Sequence, residues 1–459
     1  MPPVIPPEPS QPTTPKGLAG LLQIIGPGIV VAGSVIGSGE LINTPVQAAQ
    51  FGFLLLWAVI LSCVIKFFLQ VEIGRHCLVH DRTTVEALNT CPGPKFFRTS
   101  WIVLAYMAGY TVSLASAIGI IGALAGLMHT VAPLVDSDVR STSLWAVILV
   151  AFTALLLRQG LYGHLEKLVA LLVGGFCISV IVTLILIQGT EYRIHGNDLL
   201  TGLRGSLGDR PRLAAYAVIS LMGALGTTAN ELFMYPYWIR EKGYGRGVPG
   251  ARDETWVNGM RRWTRGLLID VGFSTMVATG VTVAFYLLGA AVLHRRGVQP
   301  TGLAVVEQIS QVFTQSHGRW SYVVFIVGAF CTLYSTLVVV TAATGRMWAD
   351  VLCSTGLVDR NNPVAVNKMH RVVQAVYLAG MLVAFLAIPK PPDRMVVFGQ
   401  FFAAVFNTPL IMFGICWLAF HTDRRLRMRA VMSVALLVSV AVVTTCVIVG
   451  LAIERGWLG

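Results

Sequence analysis

The stretch GSGELINTP, residues 37–45, interrupts an apolar segment with two glycines, one glutamate and one proline. Glycine lowers the cost of leaving helical geometry, and Pro45 has no N–H group for the carbonyl four residues before it. A charged side chain at the centre of a bilayer costs about 2.5–3.5 kcal/mol on an insertion scale. The stretch therefore predicts a broken membrane helix whose glutamate, Glu40, needs a partner.

A second apolar segment repeats the pattern. Residues 229–236 read ANELFMYP, so the spacing Glu-Leu-x-x-x-Pro occurs at Glu40 and again at Glu231. Interrupted hydrophobic segments in corresponding positions of two halves indicate the binding site of a transporter built from inverted repeats. If a pseudo-two-fold axis relates the halves, the two glutamates approach each other from opposite sides.

The composition is that of a protein that crosses a membrane many times. Of 459 residues, 55% are hydrophobic and 12% are charged, and the mean hydropathy is +0.71. A soluble fold of this length cannot bury so much apolar surface. The eight cysteines show no Cys-x-x-Cys spacing, so we interpret them as packing residues. The net charge is +12, and the Lys and Arg residues that produce it lie between the apolar runs. They form no basic stripe with interleaved aromatic residues, which excludes nucleic acid as a partner.

Apolar runs of about 18 residues or more predict eleven membrane spans. Their limits are 18–48, 52–79, 98–130, 141–159, 164–189, 212–243, 263–293, 318–350, 371–389, 394–421 and 426–454. We expect a disordered cytoplasmic tail over 1–17, a first five-helix repeat over 18–189, a second over 212–421 and a last span over 426–454. Lys and Arg are more frequent in the connections on the side of the N-terminus. This predicts a cytoplasmic N-terminus and an external C-terminus, in a bacterial inner membrane.

Both breaks surround their glutamate with oxygen atoms and flexible backbone. Carboxylates, carbonyls, hydroxyls and amides, without thiolates or imidazoles, suit hard divalent cations such as Mg²⁺, Mn²⁺ or Ca²⁺. We therefore predict Glu40 and Glu231 as metal ligands. The residues predicted to complete the site are Gly37, Ser38, Gly39, Thr227, Thr228 and Asn230. The alternative is that each glutamate is a protonated or hydrogen-bonded residue of a helix contact.

Polar residues also occur inside other spans. Tyr106, Tyr110, Ser113 and Ser116 form a stripe at helical spacing on the third span. Such a stripe either packs helix against helix or flanks the ion pathway. Lys66, within the second span, is interpreted as a snorkelling or ion-paired side chain.

The first break and its surroundings resemble a known family. From Gly26-Pro27-Gly28 to Leu54-Leu55-Leu56-Trp57 the chain is similar, without a gap, to the first helix and second-helix entry of the Nramp divalent-metal transporters. The resemblance implies an all-α polytopic membrane protein with a LeuT-like fold, in which two inverted five-helix repeats are followed by an eleventh helix. The family has polar side chains near the ion on its tenth helix. Gln400 and Asn407, seven residues apart on one helical face, are therefore further predicted site residues.

The chain departs from the family at the ion-binding motifs. The family's Asp-Pro-Gly-Asn corresponds to residues 37–40, so the aspartate is missing and Glu40 stands at the asparagine position. The family's Met-Pro-His corresponds to 227–229, which lacks the soft methionine that favours transition metals. The acidic pair of the family's third helix falls on Ser113 and Ser116. The resemblance therefore points to a divergent, Nramp-related branch that carries a hard ion without proton coupling.

These observations predict a secondary transporter that moves Mg²⁺ or Mn²⁺ across the lipid bilayer by alternating access, with no cofactor besides the transported ion. No His-Glu-x-x-His, Gly-x-Ser-x-Gly or phosphate-binding loop occurs, so we predict no enzymatic activity. Two alternatives remain. One is an Nramp-like transporter of a non-metal solute or anion, held by half-helix N-termini. The other is a membrane sensor that binds its ligand without transporting it.

Overall fold

The computed structural model describes residues 37–159, 162–226, 229–248, 252–317, 320–387 and 391–457. Regular structure in these ranges is helical, apart from an antiparallel pair of two-residue strands, β1 (Lys95–Phe96) and β2 (Thr99–Ser100). The α-helices are α1 (Thr44–Phe51), α2 (Leu56–His80), α3 (Thr84–Leu88), α4 (Trp101–Ser113), α5 (Ala115–Val131), α6 (Asp138–Gln159), α7 (Tyr162–Leu186), α8 (Gly196–Leu203), α9 (Pro211–Leu221), α10 (Ala229–Glu241), α11 (Glu254–Leu288), α12 (Val305–His317), α13 (Trp320–Thr355), α14 (Pro363–Ala387), α15 (Pro392–Phe402), α16 (Thr408–Phe420) and α17 (Ala430–Glu454).

Nine helical segments in the described part of the chain are long and apolar enough to cross a membrane. They are α2, α4–α5, α6, α9–α10, α11, α13, α14, α15–α16 and α17, and they coincide with the second to fourth and sixth to eleventh predicted spans. Helix α7 matches the fifth predicted span, and the apolar helical stretch Val173–Gly189, which includes the short turn after α7, is shorter than the other nine segments. Residues 1–36, with the predicted tail and most of the first span, lie outside the described ranges. The protein is therefore an integral membrane protein, and the total of eleven spans stays a prediction.

Wide, π-helical turns interrupt the helices at the centre of the bundle. One turn (Gly39–Asn43) precedes α1, one (Met222–Gly226) follows α9, and one (Ala403–Asn407) joins α15 to α16. We refer to them as the first, second and third central turns. The second turn contacts both of the others. Such turns are rare and occur frequently at functional sites.

The sequence Asn-Thr-Pro explains two of these turns. It ends the first turn at Pro45 and the third at Pro409. Because proline has no N–H group, the regular hydrogen bond to the carbonyl four residues earlier cannot form. The backbone N–H of Thr44 donates to the carbonyl oxygen of Gly39, five residues back, and the Thr44 hydroxyl donates to the same oxygen at 2.9 Å. Thr408 does the same to the carbonyl oxygen of Ala403 at 3.1 Å. Each threonine thus gives the carbonyl at the start of its turn a second hydrogen bond, beside that of its own backbone N–H, which reinforces the wide turn inside the membrane.

Glycines bring the backbones of the three central turns together. A Cβ atom on Gly39 would lie 3.1 Å from the carbonyl oxygen of Ala224 in the second turn. A Cβ atom on Gly223 would lie 2.1 Å from the carbonyl oxygen of Gln400 at the end of α15. Both neighbours are backbone atoms, which cannot move aside as a flexible side chain can. Small residues therefore permit this close approach, as at other contacts between membrane helices.

The two copies of Glu-Leu-x-x-x-Pro differ in local structure. Glu40 lies inside the first central turn, and Pro45 is at the start of α1. Glu231, in contrast, lies in the first turn of α10, and Pro236 is inside that helix. The expectation that the second motif itself forms the break is therefore wrong. The second interruption comes earlier in the chain, at Met222–Gly226, because glycines there release the helix before the motif begins.

We expect Gly223→Ala to destabilise the protein, because its new methyl group would collide with the backbone of α15. Overpacking of this kind typically costs about 1–3 kcal/mol. The matched control is Gly280→Ala on α11, where nothing lies within 4 Å of the added Cβ atom and alanine gains about 0.8–1.0 kcal/mol of helix propensity. Thermal unfolding of the purified protein in detergent measures both effects. Equal melting temperatures for the two variants would contradict this packing.

Candidate ion-binding site

A cavity of about 140 Å³ lies where the central turns meet. Its walls come from the first and second turns and from α4, α5, α10, α13 and α15. One water molecule needs only about 10–15 Å³ of such space. The cavity therefore accepts an ion that keeps part of its hydration shell, or a small solute.

Most of the predicted site residues line this cavity. They are Gly37, Ser38, Gly39, Glu40, Tyr110, Ser113, Ser116, Asn230, Glu231 and Gln400. Thr227 and Thr228 lie outside the described residues. Asn407 does not line the cavity and is fully buried against Gly109, where an added Cβ atom would lie 2.1 Å from the Asn407 Oδ1 atom. The wide third turn lies between Gln400 and Asn407, so the two residues do not share a face as an uninterrupted α-helix would require.

Glu40 is held at the start of the first central turn. Its side chain is buried, and its Oε2 atom accepts a hydrogen bond from the N–H group of Gly37 at 2.8 Å. An ionised carboxylate has about four acceptor positions, so this bond leaves capacity for a cation. The backbone thus fixes the carboxylate at the cavity without saturating it.

Glu231 forms an ion pair with Lys66 of α2, a contact that joins the Glu231 Oε2 atom to the Lys66 Nζ atom. Lys66 is 7% exposed, and 27% of the Glu231 side chain is accessible. Of the two predicted fates of Lys66, ion pairing and snorkelling, the structure shows ion pairing. Its partner is the second predicted metal ligand, which the sequence did not indicate. The ion pair therefore places a positive charge beside Glu231, whereas Glu40 is bonded by a backbone N–H group.

Asn43 connects the helices around the cavity. Its Nδ2 atom donates to Gln400 Oε1 at 2.6 Å and to Ser220 Oγ at 2.8 Å, and its Oδ1 atom accepts from Gln47 Nε2 at 3.0 Å. The Asn43 amide thereby links the first central turn to α9 and α15, and the three hydrogen bonds of its side chain are all to protein atoms. Because Asn43 already binds the Gln400 oxygen, we interpret Gln400 as a positioning residue rather than as a free ligand.

The polar stripe of the third span makes helix contacts, and three of its four residues line the cavity. The hydroxyl group of Tyr106 donates to Asn230 Oδ1 at 3.0 Å, and Tyr110 contacts Thr344 Oγ1 at 2.5 Å. Ser113 donates to the carbonyl oxygen of Tyr110 at 2.8 Å, next to the interruption between α4 and α5. These bonds hold α4 against α10 and α13 while the same stripe faces the cavity.

Other lining residues were missed by sequence reasoning. Thr336 of α13 approaches Gly37 so closely that a Cβ atom there would lie 2.9 Å from the threonine Oγ1 atom. Met234 of α10 and Met347 of α13 are buried residues of the wall. Met234 lies three residues after Glu231 on the same helix, and residues at this spacing share a face. This spacing was the sequence signal that could have placed Met234 at the cavity. Two methionine side chains therefore line the cavity, although this chain has no methionine at residues 227–229, which correspond to the family's Met-Pro-His.

In the described ranges, no group of three or more His, Cys, Asp and Glu side chains is placed to hold a metal ion. An ion bound at this cavity would have two carboxylates together with neutral oxygens from side chains and backbone as its available ligands. This is the ligand chemistry of a site that binds and releases a cation rather than one that retains it.

Three comparisons with known proteins agree. The profile of the family described as natural resistance-associated macrophage protein-like, Nramp, matches residues 28–457. A Listeria innocua protein named divalent metal cation transporter MntH is 22% identical over 416 residues, which cover 88% of this chain and 84% of that protein.

Solved structures with the same architecture include a mutant of the Eremococcus coleocola manganese transporter and MhsT in complex with L-phenylalanine. The first has a TM-score of 0.66 at 15% identity and covers 96% of this chain and 89% of that one. The second has a TM-score of 0.58 at 14% identity and covers 93% and 98%. These neighbours have the LeuT fold, so the predicted fold class is confirmed.

We expect Asn43→Ala to lower both the melting temperature in detergent and the affinity of the cavity for cations. The substitution leaves buried groups of Gln400 and Ser220 without their partner, and each unpaired buried group costs about 1–3 kcal/mol. Asn197→Ala, at an exposed position of α8, is the matched control. If the Asn43 variant were as stable as the control, the amide would not be the link between these helices.

Proposed function

The chain belongs to the Nramp family, and on this premise we propose that it is a secondary transporter that moves a divalent metal cation by alternating access. The family consists of membrane transporters and not of enzymes. The name of the Listeria relative, a divalent metal cation transporter, and that of the structural neighbour, a manganese transporter, support this cargo.

The single observation that carries the proposal is that Glu40 and Glu231 face the same cavity. The two residues come from different halves of the chain, and each lies at or just after an interruption of its helix. Carboxylates inside a membrane protein mark ion pathways because they are costly elsewhere. We propose that the cation binds between them, with Gly37, Ser38 and Asn230 supplying further oxygens.

Between the two predicted cations we favour Mn²⁺. Mg²⁺ gives up its water ligands reluctantly and prefers sites rich in oxygen. The cavity instead has largely apolar walls that include the side chains of Met234 and Met347, and softer ligands suit a transition metal better. The prediction from residues 227–229 alone, which favoured the hardest ions, did not include these methionines.

The cavity extends from the central turns along one side of two helices. Glu231, Met234 and Trp238 follow each other by about one turn on α10, and Thr336 and Met347 lie on α13. At the start of α15, Asp393 accepts hydrogen bonds from the N–H of Gly302 at 2.8 Å and from the hydroxyl of Thr301, and we propose that this contact closes the other end of the cavity. We propose that the open direction leads to the cytoplasm, because the Arg-rich connection after α10 lies on that side.

A small anionic or zwitterionic solute is the second candidate cargo. The observation in its favour is Lys66, whose ammonium group lies beside the cavity through its contact with Glu231. Calorimetric titration distinguishes the candidates. Heat on addition of Mn²⁺ supports the metal, whereas no heat with Mn²⁺, Mg²⁺ or Ca²⁺ favours the solute.

In proteoliposomes, we expect Glu40→Gln combined with Glu231→Gln to reduce Mn²⁺ influx to the level of liposomes without protein. Loss of even an outer-shell partner lowers metal affinity by about 10–100-fold, and here both charged ligands are removed. Glu191→Gln, at an exposed position after α7, is the matched control. Influx that survives the double substitution would refute this site.

We also expect Mn²⁺ influx to proceed without proton coupling. The positions of the family's acidic pair are occupied by Ser113 and Ser116, which carry no titratable proton. A pH gradient across the liposome membrane should therefore not drive Mn²⁺ accumulation, and influx should not acidify the lumen. Acidification in step with Mn²⁺ influx, absent from liposomes that carry the double glutamate variant, would contradict the uncoupled mechanism.

A further inference from the structure

Lys66 is a cation fixed inside the membrane domain. Its helix, α2, contacts α10, α11, α16 and the second central turn, so its backbone is held from several sides. Both ends of α2, at Leu56 and His80, lie at least about 15 Å from Lys66 along the helix axis at 1.5 Å per residue. A lysine side chain is too short to reach water at either end by snorkelling. The ammonium group therefore stays among the residues around the cavity.

The ammonium group occupies the acceptor that a transported cation needs. It has three donors and no lone pair, so it cannot bind a metal itself and instead competes for the Glu231 oxygens. Because it is tethered, it acts at a high effective concentration that no dissolved ion of the same charge can match. A divalent ion interacts about twice as strongly with each carboxylate as a monovalent ion at equal distance. Displacing Lys66 costs every incoming cation the same free energy, and a divalent ion, which gains about twice as much from each carboxylate, recovers this cost whereas a monovalent ion does not.

We propose that Lys66 determines the specificity of the cavity: it is a built-in monovalent competitor that keeps Na⁺ and K⁺ away from Glu231 and yields to a divalent cation. This proposal rests on the proposed function as a divalent metal transporter. Two carboxylates and one ammonium leave the empty site with one net negative charge, too little to attract abundant monovalent ions strongly. When a divalent ion enters, it bridges Glu40 and Glu231, and the ammonium moves off the Glu231 oxygen.

The test compares Lys66→Met, Lys66→Gln and Lys66→Arg with the wild-type chain in proteoliposomes. Mn²⁺ influx is measured against increasing Na⁺ or K⁺, with N-methylglucamine salt keeping the ionic strength constant, and Mn²⁺ affinity is measured by calorimetry. Lys66→Met and Lys66→Gln should lower the inhibition constants of Na⁺ and K⁺ at least about tenfold and tighten Mn²⁺ binding by a similar factor, equal to about 1.4 kcal/mol. Lys66→Arg keeps the charge and should retain wild-type selectivity.

The control is Lys368→Met, which removes an exposed lysine on α14. A purely structural role for Lys66 would lower the melting temperature without tightening the binding of Na⁺, K⁺ or Mn²⁺, and that result overturns the proposal. Folded variants that lose Mn²⁺ binding would overturn it as well, because the lysine would then be needed for the cargo. Competition by K⁺ in the wild-type protein at concentrations similar to Mn²⁺ would refute it without any variant. Absence of Mn²⁺ transport in the wild type would instead reject the proposed function itself.

Discussion

Backbone groups inside a bilayer find no water to bond with, and this constraint governs the centre of the protein. A helix can be interrupted there only if its freed carbonyl and amide groups are satisfied by other parts of the chain. The three central turns meet this condition together. The Thr44 and Thr408 hydroxyls add a hydrogen bond to the carbonyl at the start of their turns, and the amide of Asn43 joins the first turn to α9 and α15. The interruptions that create the cavity are thus also what holds its walls together.

The same low dielectric environment makes charge balance decisive. A buried carboxylate without a partner is costly, and the structure satisfies its two cavity glutamates differently. Glu40 receives an N–H group of its own turn, and Glu231 receives the ammonium of Lys66. The first arrangement leaves a carboxylate ready for a cation, and the second must be exchanged when one arrives. This difference gives the two formally similar motifs distinct roles.

Sequence reasoning identified residues that line the cavity because their signals are local. Gly37, Glu40 and Pro45 lie within one short stretch, and the apolar runs mark most spans to within a few residues of the helices in the structure. The ion pair between Lys66 and Glu231 was not predictable in this way, because it depends on how α2 packs against α10. The position of Asn407 was misjudged because a seven-residue spacing holds only for an uninterrupted α-helix, and a wide turn intervenes. Periodicity and motif spacing thus describe single helices, whereas the chemistry of the cavity arises between them.

The central claim is that a divalent cation binds between Glu40 and Glu231 at the meeting of the central turns. Anomalous X-ray scattering from crystals grown with Mn²⁺ tests it most directly, because the signal identifies the metal and its position together. We predict one anomalous peak within coordination distance, about 2.0–2.6 Å as for other oxygen-bound divalent ions, of both carboxylates, with the Lys66 ammonium displaced from Glu231. A cavity without such a peak in protein that transports Mn²⁺, or a peak bound elsewhere in the membrane domain, would contradict it.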